Sequence, residues 1–198
     1  MDYSNAIKQY IDLEISILKM LDVCEINQLM NAIDATRRQG AFIYIMGNGG
    51  SAATASHFVN DFNKGVSEFI DKKFRFVCLS DNMATVMAVA NDIGYDSIFE
   101  FQLRGIVTPN DLVIGISGSG NSTNVLKAVE YAKNEGAVTA ALTGFDGGRL
   151  RKMTDISVHV PVMSMQVTED IHMVLDHLMM AVFYKELCGI EHLKGGEA

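Results

Sequence analysis

The first residues able to do chemistry are two histidines and two carboxylates in separate parts of the chain. In "IMGNGGSAATASHFVND" (45–61), His57 and Asp61 stand four residues apart, which puts them on one face of the helix that this segment predicts. In "EDIHMVLDHL" (169–178), His177 follows Glu169 by two turns. These residue types suit a nitrogen and oxygen metal site or an acid and base pair. Taken singly, His57 with Asp61 also reads as an ordinary surface pair that contributes little. Spacing along the chain does not bring the two segments together.

Two other segments suit an anion. Gly47-Asn48-Gly49-Gly50 ends an apolar run and lets the backbone approach a ligand closely. Ser51 can cap the helix that follows, whose N-terminus offers free N–H groups and a positive dipole end. The motif is neither G-x-G-x-x-G nor a Walker A, so no nucleotide cofactor is expected. "ISGSGNSTN" (116–124) sets Ser117, Ser119 and Ser122 around Gly118 and Gly120, with Asn121 beside them. Hydroxyls and helix-end N–H groups together suit a phosphomonoester without a lysine. Each segment alone also reads as a simple turn. Asn91-Asp92 is a further polar pair, which alone reads as a helix end. With Asn48, Gly49, Gly50 and Ser51 it completes the set of candidate substrate contacts.

The elements that must position these residues are strands and helices in alternation. Five apolar runs, 41–46, 74–80, 111–117, 137–143 and 155–161, are mostly continuous, as in strands covered on both faces. Helical patterns separate them, so the expectation is an α/β fold, a doubly wound five-stranded parallel sheet flanked by helices. Residues 1–39 form a helical arm in which Ile7, Ile11, Ile15 and Leu18 recur at helical spacing, and Gly40 is its C-cap. The arm is expected to pack on a neighbouring subunit. A main domain spans 40–190 and a polar tail 191–198. The last long helix, about 166–187, gathers Glu169, Asp170, His172, Asp176 and His177 within an arc of about 160°, with Ile171, Val174, Leu175, Leu178 and Val182 opposite. His159 and His192 read as structural or solvated.

Composition narrows the partners. The 198 residues are 48% hydrophobic and 20% charged, with a net charge of −8. That balance makes nucleic acid a poor partner, while a small anion can still be held locally. The three cysteines, Cys24, Cys78 and Cys188, are far apart and form no CxxC. The opening "MDYSNAIKQYIDLE" is too polar for a signal peptide, and no apolar run spans a membrane. A reducing cytoplasm is the expected compartment.

Together, "GNGGSAATASHF", "ISGSGNSTNVLKA", "LTGFDGG" and "EDIHMVLDHL" resemble the SIS (sugar isomerase) domain, and within it the sedoheptulose 7-phosphate (phosphoheptose) isomerases. The likeness runs from about residue 5 to 187. It implies a homotetramer with active sites between subunits. It also implies conversion of sedoheptulose 7-phosphate to D-glycero-D-manno-heptose 7-phosphate for bacterial surface polysaccharide, lipopolysaccharide or capsule. By the resemblance, Ser117, Ser119 and Ser122, with Asn48 and Ser51, hold the phosphate. Asp61, Glu169 and His177 are the catalytic candidates. His57, Asp61, Glu169 and His177 are the candidate ligands of a Zn²⁺ ion.

Four positions depart from the family pattern. Asp61 stands where a glutamate is usual and Glu169 where a glutamine is usual. Lys64-Gly65 occupies the region of a usual arginine, and Gln166 replaces an aspartate. The shorter Asp61 retracts its carboxylate by roughly 1.5 Å, one C–C bond. Misplacement on that scale costs about a hundredfold in rate. Two other readings stand beside the heptose reaction. One is an isomerase of another phosphosugar, such as an amino-sugar phosphate or arabinose 5-phosphate. The other is a non-catalytic SIS protein that binds a phosphosugar and a protein partner.

Overall fold

A computed structural model describes residues 1–191; His192 and nearly all of the expected tail lie outside them. The elements are α1 (Ser4–Leu18), α2 (Val23–Gln39), β1 (Ile43–Met46), α3 (Gly50–Asn60), β2 (Phe76–Cys78), α4 (Met83–Asp92), α5 (Glu100–Leu103), β3 (Leu112–Ser117), α6 (Thr123–Asn134), β4 (Val138–Thr143), α7 (Gly148–Met153), β5 (Ile156–His159) and α8 (Met165–Cys188). All five strands pair in parallel, in the order β2-β1-β3-β4-β5. The expected doubly wound sheet is therefore present, and each strand falls within its expected run.

Alternation along the strands builds two cores. Ile43, Ile45, Leu112, Ile114 and Leu142 face one layer, where they meet Phe58 and Phe62 and the α8 residues Ile171, Leu175 and Met179. Tyr44, Met46, Val113 and Ala141 face the other, with Val89, Leu103, Val125 and Leu150. The arm is two helices separated at Lys19–Asp22. Gly40 caps α2 at φ 74°, as expected. On α1, Ile7, Ile11, Ile15 and Leu18 are exposed while Ile17 is buried. Among the described residues no helix is long and apolar enough to cross a membrane.

The expected division of α8 into a polar arc and an apolar arc is not what forms. His172 and Asp176 are wholly buried alongside Ile171, Leu175 and Met179, whereas Val174 and Leu178 are exposed. The helix lies on the sheet through the face that carries residues 171, 172, 175, 176 and 179, so two ionisable side chains enter the core layer. His172 is a neutral core histidine, since burial pushes its pKa down to about 4. His159 closes β5, where its backbone N–H donates to Glu25 Oε2 at 3.0 Å.

Phe62 anchors the α3 and α8 layer. It is fully buried and meets the rings of Phe58, Phe74, Phe76 and Phe183. Phe62→Ala is expected to lower the unfolding free energy by about 3–5 kcal/mol, read from denaturant titration. A change below about 1 kcal/mol would contradict this role.

Candidate active site

The two glycine- and serine-rich segments meet in one cleft at the carboxyl ends of β1 and β3. Its volume is about 260 Å³, and it is lined by Asn48, Gly49, Gly50, Ser51, Ile116, Ser117, Gly118, Ser119, Ser122, Met165 and Glu169. Three helices begin there: α3 at Gly50, α6 at Thr123 and α8 at Met165. Each contributes unpaired backbone N–H groups and the positive end of its dipole. Ser117 and Ser122 bring their hydroxyls to 3.0 Å of each other. Hydroxyls and three helix starts around a small cavity suit a phosphate-sized anion.

Side-chain amides tie the two loops together. Asn48 Nδ2 donates to Asn124 Oδ1 and Asn124 Nδ2 donates back to Asn48 Oδ1, each at 2.9 Å. Tyr95 Oη donates to the same Asn48 oxygen at 2.8 Å. Neither Asn124 nor Tyr95 was among the sequence candidates. Asn124, in the first turn of α6 and two residues past Ser122, was within reach of motif reading. Tyr95 carried no such signal. Asn121 braces its own loop: its amide donates to the Ser119 carbonyl and its oxygen accepts from Arg149 N–H. Asn91 and Asp92 lie exposed at the end of α4, hydrogen-bonded to each other. These three candidates do not line the cleft of the chain that carries them.

The histidines do meet. His57 Nε2 lies 3.0 Å from His177 Nε2, 3.4 Å from Asp61 Oδ2 and 3.8 Å from Asp176 Oδ2. His177 Nε2 is 3.8 Å from Asp61 Oδ2. The α-helical ladder of α3 ends at Asn60, and Asp61 opens a π-helical turn in which its carbonyl accepts from Val66 N–H. Such wide turns recur at functional sites because they re-aim side chains. Asp61 is buried and accepts from Asn60 Nδ2 at 3.0 Å.

The expected ligand set and the observed cluster differ in one member. One donor atom from each of His57, Asp61, Asp176 and His177 lies within 4.8 Å of the others. Glu169 is not in this group; its carboxylate packs against Gly50 at the cleft, where an added Cβ would collide with it. Asp176 was seen in the sequence only as part of the polar arc of α8. Burial, with the nearby Asp61 charge adding to it, pushes its pKa up to about 8. Two imidazoles and two carboxylates fit a divalent cation such as Zn²⁺, and both Asp176 oxygens are buried without a hydrogen-bond partner.

Contacts between α3 and α8 also fix the layout. Gly50 meets Glu169, while His57 and Asp61 meet Asp176 and His177. The two helices therefore run in the same direction, with both starts at the anion cleft. Eight residues of helix, roughly 12 Å, separate Glu169 from His177 along α8.

A SIS domain pattern matches residues 9–144. The chain belongs to the SIS domain family. A phosphoheptose isomerase from Aliarcobacter butzleri is 32% identical over 186 residues, which cover 93% of this chain and 98% of that protein. The solved phosphoheptose isomerase of Neisseria gonorrhoeae superposes with a TM-score of 0.84 at 28% identity, covering 92% of this chain and 98% of that one. That of Francisella tularensis gives 0.86 at 26% identity, covering 94% and 100%. These alignments cover more of the chain than the stretch the family pattern matches.

Among the described residues, Glu169 supplies the one negative side chain lining the cleft. Its charge opposes an anion at short range. Glu169→Gln is expected to tighten binding of inorganic phosphate by about tenfold at low ionic strength, measured by calorimetry. Unchanged or weaker binding would show that the carboxylate does not face the anion.

Proposed function

We propose that this chain is a phosphoheptose isomerase that interconverts sedoheptulose 7-phosphate and D-glycero-D-manno-heptose 7-phosphate. The observation that carries the reading is the pairing of an anion cleft with a histidine and carboxylate cluster farther along the same two helices. An open-chain heptose 7-phosphate has eight bonds from phosphorus to C1, an extended reach of about 10 Å at roughly 1.25 Å per bond. Glu169 and His177 are roughly 12 Å apart along α8, a separation nearer to that reach than to a shorter one. A five-carbon sugar phosphate reaches about 7.5 Å by the same measure. The relatives named phosphoheptose isomerase support the same substrate class.

In this mechanism the phosphate sits on Ser51, Ser117, Ser119, Ser122 and the neighbouring helix N–H groups. C1 and C2 then lie beside Asp61 and His177. The Asp61 carboxylate removes the proton from one carbon and returns it to the other through an enediol. With no cation on the cluster, His177 exchanges the matching protons with the sugar oxygens. Glu169 was an alternative base, but its place at the phosphate end favours Asp61 for the carbon-bound proton. A Zn²⁺ ion held at the cluster would supply Lewis acidity toward the carbonyl. Product from this reaction would serve surface polysaccharide synthesis, with the enzyme in the cytoplasm.

The assembly we propose is a homotetramer with its active sites between subunits. The exposed apolar row on α1, Ile7, Ile11 and Ile15, is the surface that supports it. Light scattering is expected to give four times the chain mass, and Ile11→Glu combined with Ile15→Glu a smaller one. A wild-type monomer would contradict the assembly.

His177→Ala is expected to reduce turnover of sedoheptulose 7-phosphate by at least about a hundredfold while phosphosugar binding persists. Turnover close to wild type would remove His177 from the chemistry.

A further inference from the structure

The best-placed unexplained group is Asp176. It is wholly buried on the sheet-facing side of α8, between the core residues Leu175 and Met179. Neither carboxylate oxygen has a hydrogen-bond partner. Protonation would remove the buried charge but would leave a buried O–H without an acceptor. One feature of the surroundings does match a carboxylate: Oδ2 lies 3.8 Å from His57 Nε2, in a group that also holds His177 and Asp61.

The spacing of this group is that of a coordination shell. Donors about 2.0–2.1 Å from a tetrahedral zinc stand roughly 3.3 Å from one another. Four of the six separations here are 3.0, 3.4, 3.8 and 3.8 Å, and all six lie within 4.8 Å. Glu169, which the resemblance offered as a ligand, is held against Gly50 at the other end of the site.

We propose that Asp176 is a ligand of a divalent cation held with His57, Asp61 and His177, in the place that the resemblance assigns to Glu169. The buried carboxylate then has its partner in the cation. Glu169 stays at the phosphate end. The site carries two carboxylates close to the ion, which favours a divalent cation of zinc type over a softer monovalent one. The inference rests on reading this cluster as the catalytic centre, but its test does not use turnover.

Metal-stripped full-length protein is titrated with Co²⁺, followed by visible absorption, and with Zn²⁺, followed by calorimetry. Wild type, Asp176→Asn and Glu169→Gln are compared, with thermal melts to confirm folding. Wild type is expected to take up one ion per chain. Asp176→Asn is expected to weaken binding about tenfold or more and to change the Co²⁺ spectrum, and Glu169→Gln to leave both within about threefold. Should Asp176→Asn fail to fold, Asp176→Ser is titrated in its place. Wild-type affinity in the Asp176 variant, loss of affinity in Glu169→Gln instead, or no uptake by wild type would each overturn the proposal. A chain that binds Co²⁺ through Asp176 yet isomerises no sugar would contradict the isomerase reading alone.

Discussion

The packing of α3 beside α8, with both helices pointing the same way, is the constraint on which the site depends. It puts two helix starts at one cleft and two histidines at one cluster. Phe58 and Phe62 hold α3 to the sheet, and Ile171, Leu175 and Met179 hold α8. The polar groups are carried between these anchors. Gly50 sets the approach at the upper end, since any side chain there would meet the Glu169 carboxylate. The π-helical turn at Asp61 sets it at the lower end.

The anion cleft is built by a different device. Parallel strands end together, so the loops after β1 and β3 emerge side by side. Reciprocal amide bonds between Asn48 and Asn124 lock them, and Tyr95 fixes the Asn48 oxygen. A chain of net charge −8 can therefore hold a phosphate locally, with backbone dipoles and hydroxyls in the role that lysines fill elsewhere.

The strands were legible because buried parallel strands read as continuous apolar runs, and the glycine-serine turns because few residues suit close backbone approach. The meeting of His57 with His177 was not legible, since they are 120 residues apart in sequence. The wheel put Glu169, Asp170, His172, Asp176 and His177 on one arc of α8, but periodicity alone could not tell which of them packing buries; His172 and Asp176 lie on the packed face. Asn121, a candidate ligand contact, hydrogen-bonds to the Ser119 carbonyl and the Arg149 N–H, as short polar side chains in turns do. Asn91 and Asp92 were likewise placed by type rather than by any signal of position. Asp61 and Glu169, the two exchanged carboxylate positions, were legible as candidates, but only the fold shows that one lies beside the histidines and the other beside Gly50.

The reading of the site as a heptose phosphate isomerase rests on a cleft and a cluster set roughly two helical turns apart. It is tested most directly by assaying five-, six- and seven-carbon ketose phosphates with the same protein, with EDTA and with added Zn²⁺. The account predicts the highest kcat/KM for sedoheptulose 7-phosphate, falling with each carbon removed. A preference for a five-carbon sugar phosphate, or no isomerisation of any of them under either condition, would contradict it.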